Sequence, residues 1–197
     1  MKDWRKGLAL TAEKLVVAVA GMPGSGKSLL VETAKESDYE AVLMGDVVRE
    51  EARRRGVEPN AQNIGSIMLE LRRTEGASVI AKRCVPRITA ASRSKVVVDG
   101  IRSLDEVEEF KKHFPKLVLL AIHSSPETRF QRLFRRRRSD DAEKWAVFYE
   151  RDMRELSVGL GGALAMAEYV IVNEAPVEVV RRRIREVLGK VETEWTG

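Results

Sequence analysis

Residues 15–28 read LVVAVAGMPGSGKS, an unbroken apolar run that leads into a glycine-rich octet fitting GxxxxGK[ST] from Gly21 to Ser28. The pattern also has the context it needs, an apolar strand before it and a helical pattern, SLLVETAKE, after it. Gly21, Gly24 and Gly26 open backbone angles that side chains forbid. The chain from Gly21 through Met22, Pro23, Gly24, Ser25, Gly26, Lys27 and Ser28 to Leu29 can then wrap phosphate oxygens, its N–H groups converging on them. The positive end of the following helix adds to the attraction. Lys27 is placed to reach β- and γ-phosphates, and the Ser28 hydroxyl to bind Mg²⁺. A glycine turn without a ligand would not explain Lys27 and Ser28. The loop is expected to hold a nucleoside triphosphate, ordinarily ATP, with Mg²⁺.

Four more apolar runs follow: AVLM (41–44), VVVD (96–99), LVLLAI (117–122) and YVIV (169–172). They are short, continuous and rich in Val, Ile and Leu, as strands buried on both faces are. Helical patterns alternate with them. DVVREEARRRG stops at Gly56, NIGSIMLELRRTEG follows, and ASVIAKRCVPRITAAS contains Pro86, which should kink or divide it. SLDEVEEFKKHF opens on a capping box, Ser103 with Glu106, and puts Val107, Phe110 and Phe114 on one face. In PVEVVRRRIREVL, Val177, Val180, Ile184 and Val187 should face inward, with the RRR a solvated face. Strands alternating with helices predict a three-layer α/β fold around a five-stranded parallel sheet with right-handed crossovers.

The 197 residues suit a single domain. Its expected core is 15–45, 77–128 and 156–197, interrupted by inserts at 46–76 and 129–155. No apolar run reaches the roughly 18 residues that span a membrane, and the opening MKDWRKGLAL is too short in apolar residues for a secretory signal. A cytoplasmic protein with no membrane partner is expected. The N-terminal stretch before the first strand either packs on the core through Trp4 or frays. Cys84 alone excludes an internal disulfide and a multi-cysteine zinc cluster, and reads as a buried apolar residue. His113 and His123 lack the spacing of a metal pair or a Ser-His-Asp arrangement. The net charge of +5 suits polyanionic ligands and permits nucleic acid without favouring it, since aromatic residues are only 6% of the chain. Charged residues at 33%, with few Asn and Gln, lean toward a thermophilic source.

Asp99 ends the third strand, where a carboxylate should lie beside the loop and orient the metal ion through water. Arg132 and Arg136 belong to RFQRLFRRRRSDD, whose five arginines at 132–138 would repel one another without an anion. Such arginines, closing over a triphosphate, neutralise charge and exclude water. Arg151 or Arg154 completes that cage.

With these residues the chain resembles the nucleoside monophosphate kinases, adenylate kinase above all. The resemblance rests on the loop, on MGDVVREE, on VVVDGIRS and on the arginine pair. It implies that Arg49 and Arg102 grip an acceptor's phosphate, that 46–76 is a helical acceptor-binding insert, and that 129–155 is a short, arginine-rich helical lid. One arginine of the pair would pack on the donor base and the other reach its phosphates. Arg102 is displaced by one position from the family's DGFPR, and Glu106 stands where adenylate-specific members carry a glutamine. The C-terminal AEYVIVNEA resembles dephospho-coenzyme A kinases, which implies that the segment after Asn173 meets the donor base. The whole chain resembles an archaeal family of P-loop kinases related to both, and this implies the fold more firmly than the acceptor.

Three readings stay open. A kinase with a phosphate acceptor needs alignment and charge stabilisation but no base. A kinase with a hydroxyl acceptor, such as dephospho-coenzyme A, needs a carboxylate to take a proton, and Asp46 is the candidate. An NTP-hydrolysing switch or RNA-associated factor is the third. Oligomeric state is not readable from the sequence.

Overall fold

The computed structural model describes residues 14–136 and 144–196. It contains a five-stranded, all-parallel sheet in the order β2-β3-β1-β4-β5. The strands are β1 (Leu15–Ala20), β2 (Glu40–Leu43), β3 (Lys95–Ile101), β4 (Leu117–His123) and β5 (Tyr169–Val172). β1 is central and buried along its whole length, which is why its sequence shows no alternation.

Helices cover both faces. α1 (Lys27–Glu36) and α9 (Val177–Thr196) pack on one, burying Leu30, Val180, Ile184, Leu188 and Val191 against Val17, Val19 and Ile122. α2 (Met44–Arg54), α3 (Ala61–Glu75), α4 (Val79–Ala90), α5 (Leu104–His113) and α8 (Leu160–Ala165) serve the other. Val107, Phe110 and Phe114 are buried there together, as expected. α6 (Pro126–Arg136) and α7 (Trp145–Val158) meet through a small apolar cluster of Phe130, Leu133 and Phe148. Among the described residues no helix is long and apolar enough to cross a membrane.

Several local expectations are corrected. Pro86 does not divide its helix: α4 runs from Val79 to Ala90 with Pro86 inside. The buried row Ile80, Cys84 and Ile88 holds the turns against the core on either side of the lost backbone bond. Met44 and Asp46 belong to the first turn of α2, not to the end of the second strand, because ladder pairing with β3 ends at Leu43. α3 starts at Ala61, earlier than its apolar pattern suggests, since the Asn60 side chain accepts from the Asn63 N–H at 2.9 Å. Val177 is exposed, and Leu188 takes the inward place. Arg181 of the supposed solvated face pairs with Glu36 at 2.9 Å. Cys84 is fully buried, and burial pushes its thiol up to about 12, so it packs as an apolar side chain. The stretch with Trp4 and the arginines at 137 and 138 lie outside the described residues.

Candidate active site

The register fixes the site. Val19 on β1 pairs with Asp99 on β3, and Leu43 on β2 pairs with the same Asp99. Asp99 therefore stands level with a residue two before Gly21 and a residue three before Asp46. Asp99 does not end its strand as expected, since β3 runs on to Ile101, but the glycine-rich loop, this carboxylate and the first turn of α2 all lie toward the C-terminal edge of one parallel sheet, where open α/β sheets hold their ligands.

The loop has the backbone of an anion cradle. Gly24 and Gly26 take φ of +80° and +104°. A Cβ on Gly26 would overlap Asn173 Nδ2, so this position needs glycine for space as well as for angle. No side chain caps α1, which leaves its first N–H groups for an anion. Lys27 Nζ folds back to donate to Gly21 O at 2.6 Å and Met22 O at 3.2 Å. Ser28 is exposed at the start of α1, while Ser25 Oγ is buried without a partner.

Asp99 Oδ1 is also buried and unpartnered. Burial pushes its carboxyl up, against the pull of Lys27, Arg102 and Arg49. Burial likewise draws the Lys27 ammonium down, opposed chiefly by Asp99. Among the described residues no group of three or more His, Cys, Asp or Glu is built to cage a metal by itself. One serine hydroxyl and one orphaned carboxylate oxygen do fit Mg²⁺, which keeps several waters and relies on substrate phosphates for the rest of its shell.

Arg49 donates through Nε to Asp46 Oδ1 at 3.1 Å, one turn back on α2, and both side chains are about two-fifths exposed. Arg102 donates through Nε to Glu155 Oε2 at 2.8 Å and through Nη1 to Gly100 O at 3.0 Å. Burial works against its charge, but Glu155 and Glu106 outweigh it and hold its pKa above the ordinary value. Glu106 completes only half of the expected capping box. Its N–H donates to Ser103 Oγ at 3.4 Å, but its carboxylate accepts from the Arg102 N–H at 2.7 Å and pairs with Arg72 of α3.

Arg132 donates to Ser124 Oγ at 2.8 Å and to Asn173 O at 3.0 Å. Asn173 is buried, and its Nδ2 donates to Ser25 O at 2.8 Å. Its side chain thus braces the loop. Arg136 closes α6.

The sequence reading missed Arg129, Asp152 and Glu155. Arg129 is buried, bonds Asp152 through both nitrogens at 2.9 and 2.6 Å, and donates to Pro23 O at 3.2 Å and Ser124 O at 3.1 Å. Its guanidinium also sits 4.9 Å from the centre of the Phe148 ring. Phe148, Asp152 and Glu155 recur at helical spacing on the buried face of α7, and that spacing was the available signal.

A strand, a glycine-rich loop and a helix, with an aspartate of the neighbouring strand acting on the loop's lysine, define a P-loop protein with the kinase fold. A family model described as an AAA domain matches residues 20–147. A UPF0200 protein of Hyperthermus butylicus is 44% identical over 180 residues, covering 91% of this chain and 96% of that one. The UPF0200 protein MJ1399 of Methanocaldococcus jannaschii is 46% identical over 179 residues, covering 90% of each. The chain belongs to this AAA-domain family and to the archaeal UPF0200 family. Its fold is similar to that of a gluconokinase from Sinorhizobium meliloti, with TM-score 0.56 and 15% identity over 93% of this chain and 98% of that one. It is also similar to a shikimate kinase from Acinetobacter baumannii, with TM-score 0.57 and 13% identity over 95% and 98%.

Proposed function

We propose that this chain is an ATP-dependent phosphotransferase of the nucleotide-kinase type, which moves the γ-phosphoryl group to a small, nucleotide-like acceptor bearing a phosphate. The observation that carries the reading is that the charges of Lys27, Arg102 and Arg49 all act on the buried carboxylate of Asp99. Cations from the loop, from the end of β3 and from α2 lie within electrostatic reach of one point, where two phosphates would have to meet.

An oxygen of the acceptor's phosphate attacks the γ-phosphorus, and the bond to the β–γ bridging oxygen breaks with its electron pair leaving on ADP. A phosphate oxygen is already a nucleophile, so no base is required. Lys27 leaves Gly21 O and Met22 O for the β- and γ-phosphates. Ser28 and Asp99 would hold Mg²⁺, which supplies charge neutralisation when bound. Arg49 and Arg102 align the acceptor, with 46–76 as its binding insert. Segment 129–155 acts as the lid, and Arg136 stabilises charge on the transferring group. Arg132 and the chain after Asn173 flank the donor base.

A hydroxyl acceptor is the second reading. The specific observation favouring it is Asp46, whose carboxylate stands part-exposed in the first turn of α2 beside Arg49.

The test is phosphate transfer from radiolabelled ATP, offering each nucleoside monophosphate and dephospho-coenzyme A in turn. Label in a nucleoside diphosphate supports the first reading, and label in coenzyme A the second. Label released only as inorganic phosphate overturns both in favour of a hydrolytic switch.

A further inference from the structure

Glu155 reaches from the buried face of α7 to Arg102, the residue that follows β3. It is itself buried, it accepts from Arg102 Nε at 2.8 Å, and its charge is felt by Lys27 and Arg151 as well. One carboxylate thus answers three cations in the place where an anionic substrate would neutralise them. Burial alone would push its carboxyl up, but Arg102 foremost, then Lys27 and Arg151, hold it below the ordinary value. Arg102 keeps about three-tenths of its side-chain surface open, and no hydrogen bond among the described residues takes up its Nη2.

We propose that Glu155 occupies the acceptor's phosphate subsite in the free protein, and that a phosphomonoester enters by taking Arg102 from it. The inference rests on the phosphate-acceptor reading above and narrows the acceptor class. A phosphate brings about two negative charges and three acceptor oxygens against one charge and two oxygens, and Arg102 binds such an anion bidentately. A neutral hydroxyl has nothing to exchange for a carboxylate and leaves the pair closed. Gly159, at φ +115°, follows α7 and sits so close to Ser103 that an added Cβ would lie 3.2 Å from the Ser103 Cβ, so the end of α7 packs beside the residue after Arg102. The exchange is a rotation of the Glu155 side chain away from Arg102. Glu155 acts as a positioning residue that admits one class of acceptor and keeps Arg102 paired without it.

The test uses the full-length protein saturated with magnesium and the non-hydrolysable analogue AMP-PNP, which fills the glycine-rich loop, and titrates inorganic phosphate by calorimetry. Glu155→Gln is expected to bind phosphate about tenfold more tightly than the wild type, since the competing charge is gone. Equal, weaker or undetectable binding by the variant, with AMP-PNP affinity unchanged, overturns the exchange. The wild type supplies a second measurement that no folding defect can spoil. The NMR signal of the Arg102 Nε–H, assigned through Arg102→Lys, should shift along the phosphate titration and saturate with it. A signal that stays still while phosphate binds overturns the proposal. Failure of the wild type to take up AMP-PNP would instead sink the parent reading, and the Arg102 signal would still decide the exchange.

Discussion

Asp152 and Glu155 lie one helical turn apart on one face of α7, and each closes on an arginine from a different element, one on α6 and one after β3. Asp152 meets Arg129 at 2.6 Å, and Arg129 in turn touches the glycine-rich loop at Pro23 O. Glu155 meets Arg102 at 2.8 Å, just past the end of β3. A single helix face thereby ties the glycine-rich loop to the residue that follows β3.

Breaking the first of these pairs should be costly. Both side chains of Arg129 and Asp152 are more than nine-tenths buried, so Arg129→Ala strands a carboxylate without water or partner. A loss of about 3–5 kcal/mol in urea unfolding is expected. The double variant Arg129→Met with Asp152→Leu should recover much of it, because the orphaned charge is gone. A single variant as stable as the wild type would show that the pair is not holding α6 to α7.

Lys27→Ala should lower phosphoryl transfer by roughly 10²-fold or more, because the γ-phosphate loses its clamp. Among the described residues its Nζ bonds only backbone oxygens of the loop, so the melting temperature should barely move. A coupled kinase assay showing near-normal turnover would remove Lys27 from the mechanism.

Asp99→Asn keeps the shape of the side chain and removes its charge. The Mg²⁺ concentration needed for half-maximal transfer should rise about 10- to 100-fold, while transfer at saturating Mg²⁺ recovers in part. Chelation with EDTA should stop the wild type. An unchanged magnesium requirement in the variant would assign the orphaned Oδ1 to another task.

Arg136→Ala should act on kcat, by about 10³-fold if this arginine stabilises the transferring group. A change confined to KM would make it a binding residue only.

Glu51 predicts an acid limb in stability. It is buried and accepts from Arg54 at 2.6 Å, Arg55 at 2.7 Å and Arg83 at 3.2 Å, and the bonds from Arg54 and Arg55 pull its pKa from 4.5 to about 2. The folded value lies below the unfolded one. Its contribution is therefore complete above about pH 4.5 and fades as pH falls through about 2. Melting curves between pH 2 and 5 should slope less steeply for Glu51→Gln than for the wild type.

The parts of this molecule legible in the sequence are those set by neighbours along the chain. The cradle from Gly21 to Ser28 announces itself because its glycines, lysine and serine are contiguous. The sheet does so because buried parallel strands cannot alternate. Arg129, Asp152 and Glu155 were not read because their meaning is non-local: on two helices crowded with charge they resemble solvated residues, and only packing turns them inward. Asn173 was read as a neighbour of the donor base, while its amide is committed to Ser25. The helix starts at Ala61 and Met44 were displaced because caps and ladder ends, rather than apolar period, decide where helices begin.

The bond from Asn173 to Ser25 spans 148 positions of the chain. It dictates an order of events during synthesis. A nascent polypeptide that has extruded β1, the loop and α1 owns the whole glycine-rich cradle with Lys27 and Ser28, yet lacks the brace that shapes it. Long-range closures of this kind come late, after the intervening strands have docked. The growing chain should consequently stay blind to nucleotide until its fifth strand has left the ribosome.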